Sequence, residues 1–256
     1  MEVTKHKLKD FDRNYIMQGI CKVDSYYLVS SYSKTTNSII SIFNEGFNLI
    51  KDVEIYNNSH VGGICYDDIH GIVWVSDKQG TITGFKKEDI FNNKKVEPIP
   101  KFKKIKVGHD LINYKGYEAV SYLTYADKKI YLGNFTITRR GELRSYSINR
   151  DGSINLRSEK VISKKFDNLV QGIQVIGNYI LVTKSLGGIF QSRLAIYSFK
   201  HNHVKKLREI SLPIYMVEAI VKSNNKFVII SESGANFFNN KTYTDYIEIP
   251  VDDIIM

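Results

Sequence analysis

Apolar and polar residues alternate along this chain in short runs, and the same arrangement of runs returns five times. Gln18-Gly19-Ile20-Cys21-Lys22-Val23 is followed by an Asp24-Ser25 turn, an aromatic and β-branched run at Tyr26–Ser31, a polar loop at Ser33–Asn37 and a further run at Ser38–Phe43. Period-2 alternation, strand-forming residues and turn residues agree on three short strands. Related units cover Ser59–Phe85, Ala119–Ile148, Leu169–Phe199 and Met216–Ile249. Gln18, Gly62, Ser121, Gln171 and Glu218 are equivalent, at intervals of 44, 59, 50 and 47 residues. Repeats of this length, each holding several strands, predict an all-β five-bladed β-propeller of four-stranded antiparallel blades.

Fourth strands are expected at Leu49–Ile55, Phe102–Val107, Ser158–Ser163 and Lys205–Leu212. The fifth unit has none after it. Thr4–Phe11 resembles Lys205–Leu212, so the N-terminal strand is expected to pair in the last blade beside Tyr243–Ile249 and close the ring. Closure removes two exposed sheet edges. An open pair of β-sheets is the alternative. Lys86–Asn93 reads as a helical turn hung on a third strand, with Pro250–Ile255 in the equivalent place. The longest insertion, Gly108–Glu118, maps to a surface loop, and Ser233–Thr242 is a second long loop.

Length adds that residues 1–256 form a single propeller domain. An apolar fraction of 43% with 30 Tyr and Phe suits strand-rich packing. No apolar run approaches a membrane span. The opening residues have no apolar core, so this chain carries no secretory signal; a cytoplasmic protein, or a secreted one whose signal has been removed, fits. Cys21 and Cys65 occupy equivalent positions and read as small buried hydrophobes. The net charge of +9 attracts acidic partners such as an anionic polymer, but the lysines spread over every blade as an edge-protecting face. No nucleic-acid motif interleaves aromatics with them, so nucleic acid is an unlikely partner. Asn57-Asn58-Ser59, Asn134-Phe135-Thr136 and Asn240-Lys241-Thr242 match glycosylation acceptors by pattern alone.

In a propeller, the links into inner strands and the loops from second to third strands share one face. That topology gathers Gln18, Tyr32, His60, Asp77, Glu118, Asn134, Gln171, Glu218 and Glu232 at one mouth of the central channel. Amides and carboxylates there suit a polar small molecule, a glycan, a protein partner or a hard cation such as calcium (Ca). They equally suit a wet channel mouth with no ligand. Phosphate loops, nucleophile elbows, zinc-protease motifs and dinucleotide fingerprints are absent.

The units YIMQGICKVDSYYLVSSYSK…SIISIF and SHVGGICYDDIHGIVWVSD…GTITGF resemble bacterial β-propellers of uncharacterised function. They are also distantly similar to gluconolactonase-like and strictosidine-synthase-like propellers. That resemblance implies six blades and a channel metal held by carboxylate and amide ligands, whereas this chain counts five and offers no residue-by-residue match to the ligand set. Three readings follow. The first is a non-catalytic binding propeller using the mouth. The second is a hydrolase or lactonase with a cation held by Glu118, Asp77, Asn134, Glu218 or Glu232. The third is an electrostatic adaptor for an anionic polymer.

Overall fold

Five four-stranded antiparallel sheets stand in a ring in the computed structural model, making the chain a five-bladed β-propeller. The structure describes residues 2–55, 60–77, 79–201, 203–238 and 243–255. The Asn57 and Asn240 acceptor motifs, the 57–59 link and the end of the Ser233–Thr242 loop lie outside the described residues.

The inner strands are Ile16–Val23, Ile64–Asp67, Tyr122–Ala126, Val170–Ile176 and Val217–Ser223. Each packs against the inner strands on either side, and Val217–Ser223 against Ile16–Val23 completes the circle. Apolar side chains between neighbouring sheets form five wedge-shaped cores, one per blade interface. Near the axis the backbones almost touch. A Cβ on Gly63 would lie 2.7 Å from the Leu123 nitrogen, and one on Gly172 would lie 2.6 Å from Ala219 Cα. Glycine is required at both.

The ring closes where the sequence predicts, with a shorter strand. Thr4–His6 pairs antiparallel with Tyr246–Pro250, with Thr4 opposite Glu248 and His6 opposite Tyr246. Residues 7–11 leave the sheet because Leu8 and Phe11 are drawn into the wedge between blades 5 and 1. Stacked rings seal that joint: His6 on Tyr246 (4.5 Å between centroids), Tyr246 on Phe47 (4.0 Å), Phe47 on Tyr27 (4.3 Å). Beneath them Asp245, fully buried, accepts from the Leu8 amide at 2.6 Å and from both terminal nitrogens of Arg13.

Outer strands run Leu49–Ile55, Ile105–Lys106, Ile154–Phe166 and His203–Ser211. The second is only two residues long because Pro100–Phe102 forms a 3-10 turn that buries Phe102 against Trp74. The helical turn is Lys87–Asn92, and Val251–Asp253 is a 3-10 turn at the equivalent place in blade 5. One feature was not expected. Lys95–Val96 adds a fifth, parallel strand to blade 1, held by Lys95 on Glu54 (2.8 Å) and by Lys51 on the Phe91 carbonyl (2.7 Å). Cys21 and Cys65 are buried free thiols, and burial raises both pKa values. No helix among the described residues is long and apolar enough to cross a membrane.

Candidate functional site

A shared backbone defect aims side chains into the mouth. The pairing of first and second strands shifts register between Met17 and Gly19, between Val170 and Gly172, and between Val217 and Ile220. Gln18, Gln171 and Glu218 therefore stand on β-bulges at one repeat position in blades 1, 4 and 5. A bulge turns its extra residue out of the sheet alternation. Just below, Ile20, Ile64, Leu123, Ile173 and Ile220 surround the axis, all buried. The space left at that level is about 10 Å³, room for at most about one water. The channel is thus closed below the mouth. A separate cavity of about 160 Å³ opens beyond the aliphatic ring, lined by Cys21, Cys65 and Thr124 among others.

Two carboxyl groups interact electrostatically at the mouth. Glu218 is 4% exposed. Glu232 begins a 3-10 turn, Glu232–Gly234, capped by Ser231, whose hydroxyl accepts from the Ser233 amide. The Glu232 amide donates to the Met216 carbonyl at 3.0 Å, which fixes the returning loop of blade 5 beside its own inner strand. Burial, then the Glu232 charge, hold the Glu218 carboxyl well above the usual carboxylate range. Burial pushes Glu232 up to about 7, against a lowering by its hydrogen bond from Gln18. Neither carboxylate forms an ion pair among the described residues.

Gln18 Nε2 donates to Glu232 Oε2 at 3.1 Å and to the Met17 carbonyl at 2.8 Å. Its Oε1 is buried with no partner among the described residues, and the whole residue is only 1% exposed. Such an atom is expensive to leave unpaired. Tyr32 completes this side: burial, then the charges of Glu232 and Glu218, push its hydroxyl up to about 12. His60 packs on Tyr32, 4.5 Å between ring centroids. Solvent reaches its outer edge, yet the surrounding protein and then the charge of Lys115 push its pKa down to about 4, so the ring is neutral at pH 7.

Gln18, Tyr32, His60, Glu218 and Glu232 come together. Four other predicted residues find partners elsewhere. Gln171 donates to Ser185 Oγ at 3.3 Å within its own blade. Asp77 is buried and accepts from Thr83 at 3.4 Å. Asn134 donates to the Ile112 carbonyl at 2.6 Å and accepts from the Glu142 amide at 2.9 Å, so its acceptor motif is consumed internally. Glu118 pairs with Lys106 and accepts from the Asp110 amide, which pulls its pKa down. Among the described residues no three His, Cys, Asp or Glu side chains converge closely enough to hold a metal. Glu118→Gln is accordingly expected to change stability by less than about 1 kcal/mol and to leave ligand binding at the mouth within about twofold; urea denaturation and calorimetric titration check both.

Arg13, Met216 and Ser231, which position the Glu232 turn, carry no motif. Nor do the bulges, because a bulge is visible only in the pairing of two strands. The one available signal was the recurrence of amide and carboxylate at the Gln18 position of the repeat.

No protein-family model matches the chain, and no curated protein matches it. Among solved structures, the fold is similar to the crystal structure of Myxococcus xanthus glutaminyl cyclase, with a TM-score of 0.56 and 8% identity over 96% of this chain and 94% of that one. It is also similar to a chain in the crystal structure of the mitotic checkpoint complex, with a TM-score of 0.50 and 12% identity over 94% of this chain and 76% of that one. At such identities these likenesses concern the fold alone.

Proposed function

We propose that this chain is a ligand-binding β-propeller whose channel mouth takes the cationic group of a polar ligand. The observation that carries the reading is the Glu218–Glu232 pair, the first buried and the second half-buried, with no counter-charge among the described residues and with the orphan Oε1 of Gln18 beside it. Two carboxylates and an amide oxygen are acceptors only, and an ammonium group brings three donors and no acceptor. A cation entering here would let both carboxylates ionise, give Gln18 Oε1 a partner and sit beside the aromatic ring of Tyr32. Calcium shares the preference for oxygen, but it takes six to eight oxygens, and these three side chains hold five, so water would have to complete its shell. It is the second cation to test.

The pH dependence carries a sign. Below pH 7 the Glu232 carboxyl keeps its proton and the pocket loses charge. Affinity for n-butylamine is expected to rise about thirtyfold from pH 5.5 to pH 8, the change in ionised fraction of a carboxyl with a pKa near 7. In Glu232→Gln the step near pH 7 is expected to be lost. Calorimetric titration at both pH values decides it, and a flat wild-type profile would refute the reading.

One observation favours a second reading, acid–base catalysis. A carboxyl that titrates near 7 is matched to proton transfer at neutral pH. The named activity of the Myxococcus xanthus protein, glutaminyl cyclisation, is such a reaction. The amine nitrogen attacks the side-chain amide carbon, the carbon–nitrogen bond to the leaving amide breaks, and a proton moves from the attacking nitrogen to the departing ammonia. Glu232 would relay that proton. Ammonia release from a glutaminyl dipeptide, lost in Glu232→Gln, is the outcome this reading predicts.

A further inference from the structure

The mouth face carries a set of exposed apolar side chains. Eleven large apolar residues are exposed among the described residues. Five of them, such as Ile50 and Leu207, lie on outer strands or on the opposite face. The other six, Tyr114, Tyr117, Ile189, Phe190, Tyr215 and Phe237, all lie on loops of the mouth face. Ile189 is 75% exposed and Tyr117 is 69% exposed, although an aromatic or β-branched side chain has every reason to fold inward. Scattered single apolar residues need no explanation, but a set gathered round a pocket marks an interaction surface.

The rim is joined to the carboxylates by hydrogen bonds. The Ser192 amide donates to the Ile214 carbonyl at 3.1 Å, tying the Ile189–Phe190 loop to the Tyr215 loop. Ser231 Oγ donates to the Tyr215 carbonyl at 2.8 Å, one residue before Glu232. Phe237 follows Glu232 on the same loop, and Lys34, two residues beyond Tyr32, sits 3.2 Å from the centre of its ring. Across the mouth, Tyr114 stands edge-on to Phe135 at 5.6 Å. These loops belong to three blades and to the long 108–118 insertion. A small molecule seated on Glu218 and Glu232 would not reach them all.

We infer that the mouth face docks a polypeptide segment that inserts a lysine or arginine side chain between Glu218 and Glu232 and lays apolar neighbours on the rim. Charge complementarity selects the central residue, because the mouth offers two carboxyl groups and an amide oxygen without a partner among the described residues. The rim selects its neighbours. An aromatic and apolar surround that keeps water from a central charged contact is the anatomy of a protein-binding hot spot. This inference rests on the cation-binding reading of the mouth and adds the partner class to it.

The test compares n-butylamine with two end-capped tripeptides, acetyl-Leu-Lys-Phe-amide and acetyl-Leu-Gln-Phe-amide, at pH 8. The capped lysine peptide is expected to bind at least about tenfold more tightly than n-butylamine, and the glutamine peptide is expected not to bind. The double variant Phe190→Ser, Tyr215→Ser is expected to lose the peptide's advantage while keeping n-butylamine affinity and melting temperature. Peptide binding no tighter than n-butylamine, or undiminished in the double variant, overturns the inference and leaves the amine site standing. Failure of both n-butylamine and the lysine peptide to bind the wild type overturns the cation-binding reading, and this inference with it.

Discussion

Asp245→Ala is expected to destabilise the protein by about 3–5 kcal/mol, because it strands a partly buried guanidinium and a backbone donor at the seam of the ring. Asp245 has no exposed surface; it accepts from the Leu8 amide at 2.6 Å and holds Arg13 through both carboxylate oxygens. Arg13 also donates to the Leu8 carbonyl at 3.0 Å, and its own carbonyl accepts from the Asn236 amide at 2.8 Å. One ion pair thus joins the closing segment, the end of blade 5 and the loop that carries Glu232. Urea denaturation reads the loss, and limited proteolysis is expected to cut first within residues 2–14. The double variant Arg13→Met, Asp245→Leu is expected to recover part of the stability, since no unpaired charge is left behind. A cost below about 1 kcal/mol for Asp245→Ala would show that the seam is held by apolar packing of Leu8 and Phe11 alone.

Glu218→Gln is expected to do the reverse at alkaline pH: to stabilise the fold and abolish amine binding. In the folded protein Glu232 holds its proton up to about pH 7, whereas an unfolded chain releases it in the ordinary carboxylate range. Between those values the native state binds more protons than the unfolded state. Wild-type stability therefore falls as pH rises through that window, and the loss is complete above pH 7. Glu218 is held well above the usual carboxylate range too, by burial and then by the Glu232 charge, so replacing it with Gln removes its own share of the loss. The variant is expected to exceed wild type by about 1–3 kcal/mol at pH 8 and to match it near pH 4.5. Thermal melts at the two pH values measure the difference. A site that costs stability and is relieved by neutralisation is the mark of a residue kept for binding.

Much of this architecture is legible in the sequence because strand alternation and turn residues are local signals. The five units, the outer strands and the latch at Thr4–His6 all follow from patterns within a few residues. The latch is shorter than its resemblance to Lys205–Leu212 suggests because Leu8 and Phe11 gain more by burial in the wedge than by continued pairing. The parallel strand Lys95–Val96 is two residues long and depends on Lys51 and Glu54 some 40 residues away, so no local pattern announces it.

For the site, topology places candidates on one face but cannot say which side chains turn toward the axis. Gln18 and Glu218 do so because a bulge lifts them out of the sheet. Glu118 is diverted by Lys106, on the outer strand of the preceding blade, and Asn134 by the carbonyl of Ile112 on the insertion. The elevated pKa of Glu232 arises from burial, and that of Glu218 from burial and then the Glu232 charge, neither of which is visible in a linear chain.

A carbon-13 NMR titration of the protein labelled at the glutamate carboxyl carbons measures the pocket itself. One resonance is expected to titrate near pH 7, to disappear from that range in Glu232→Gln, and to move down toward the ordinary carboxylate range when n-butylamine is added. If every glutamate titrates below pH 5, or if the neutral-range resonance ignores the amine, the carboxyl pair at the mouth is not a cation-binding site.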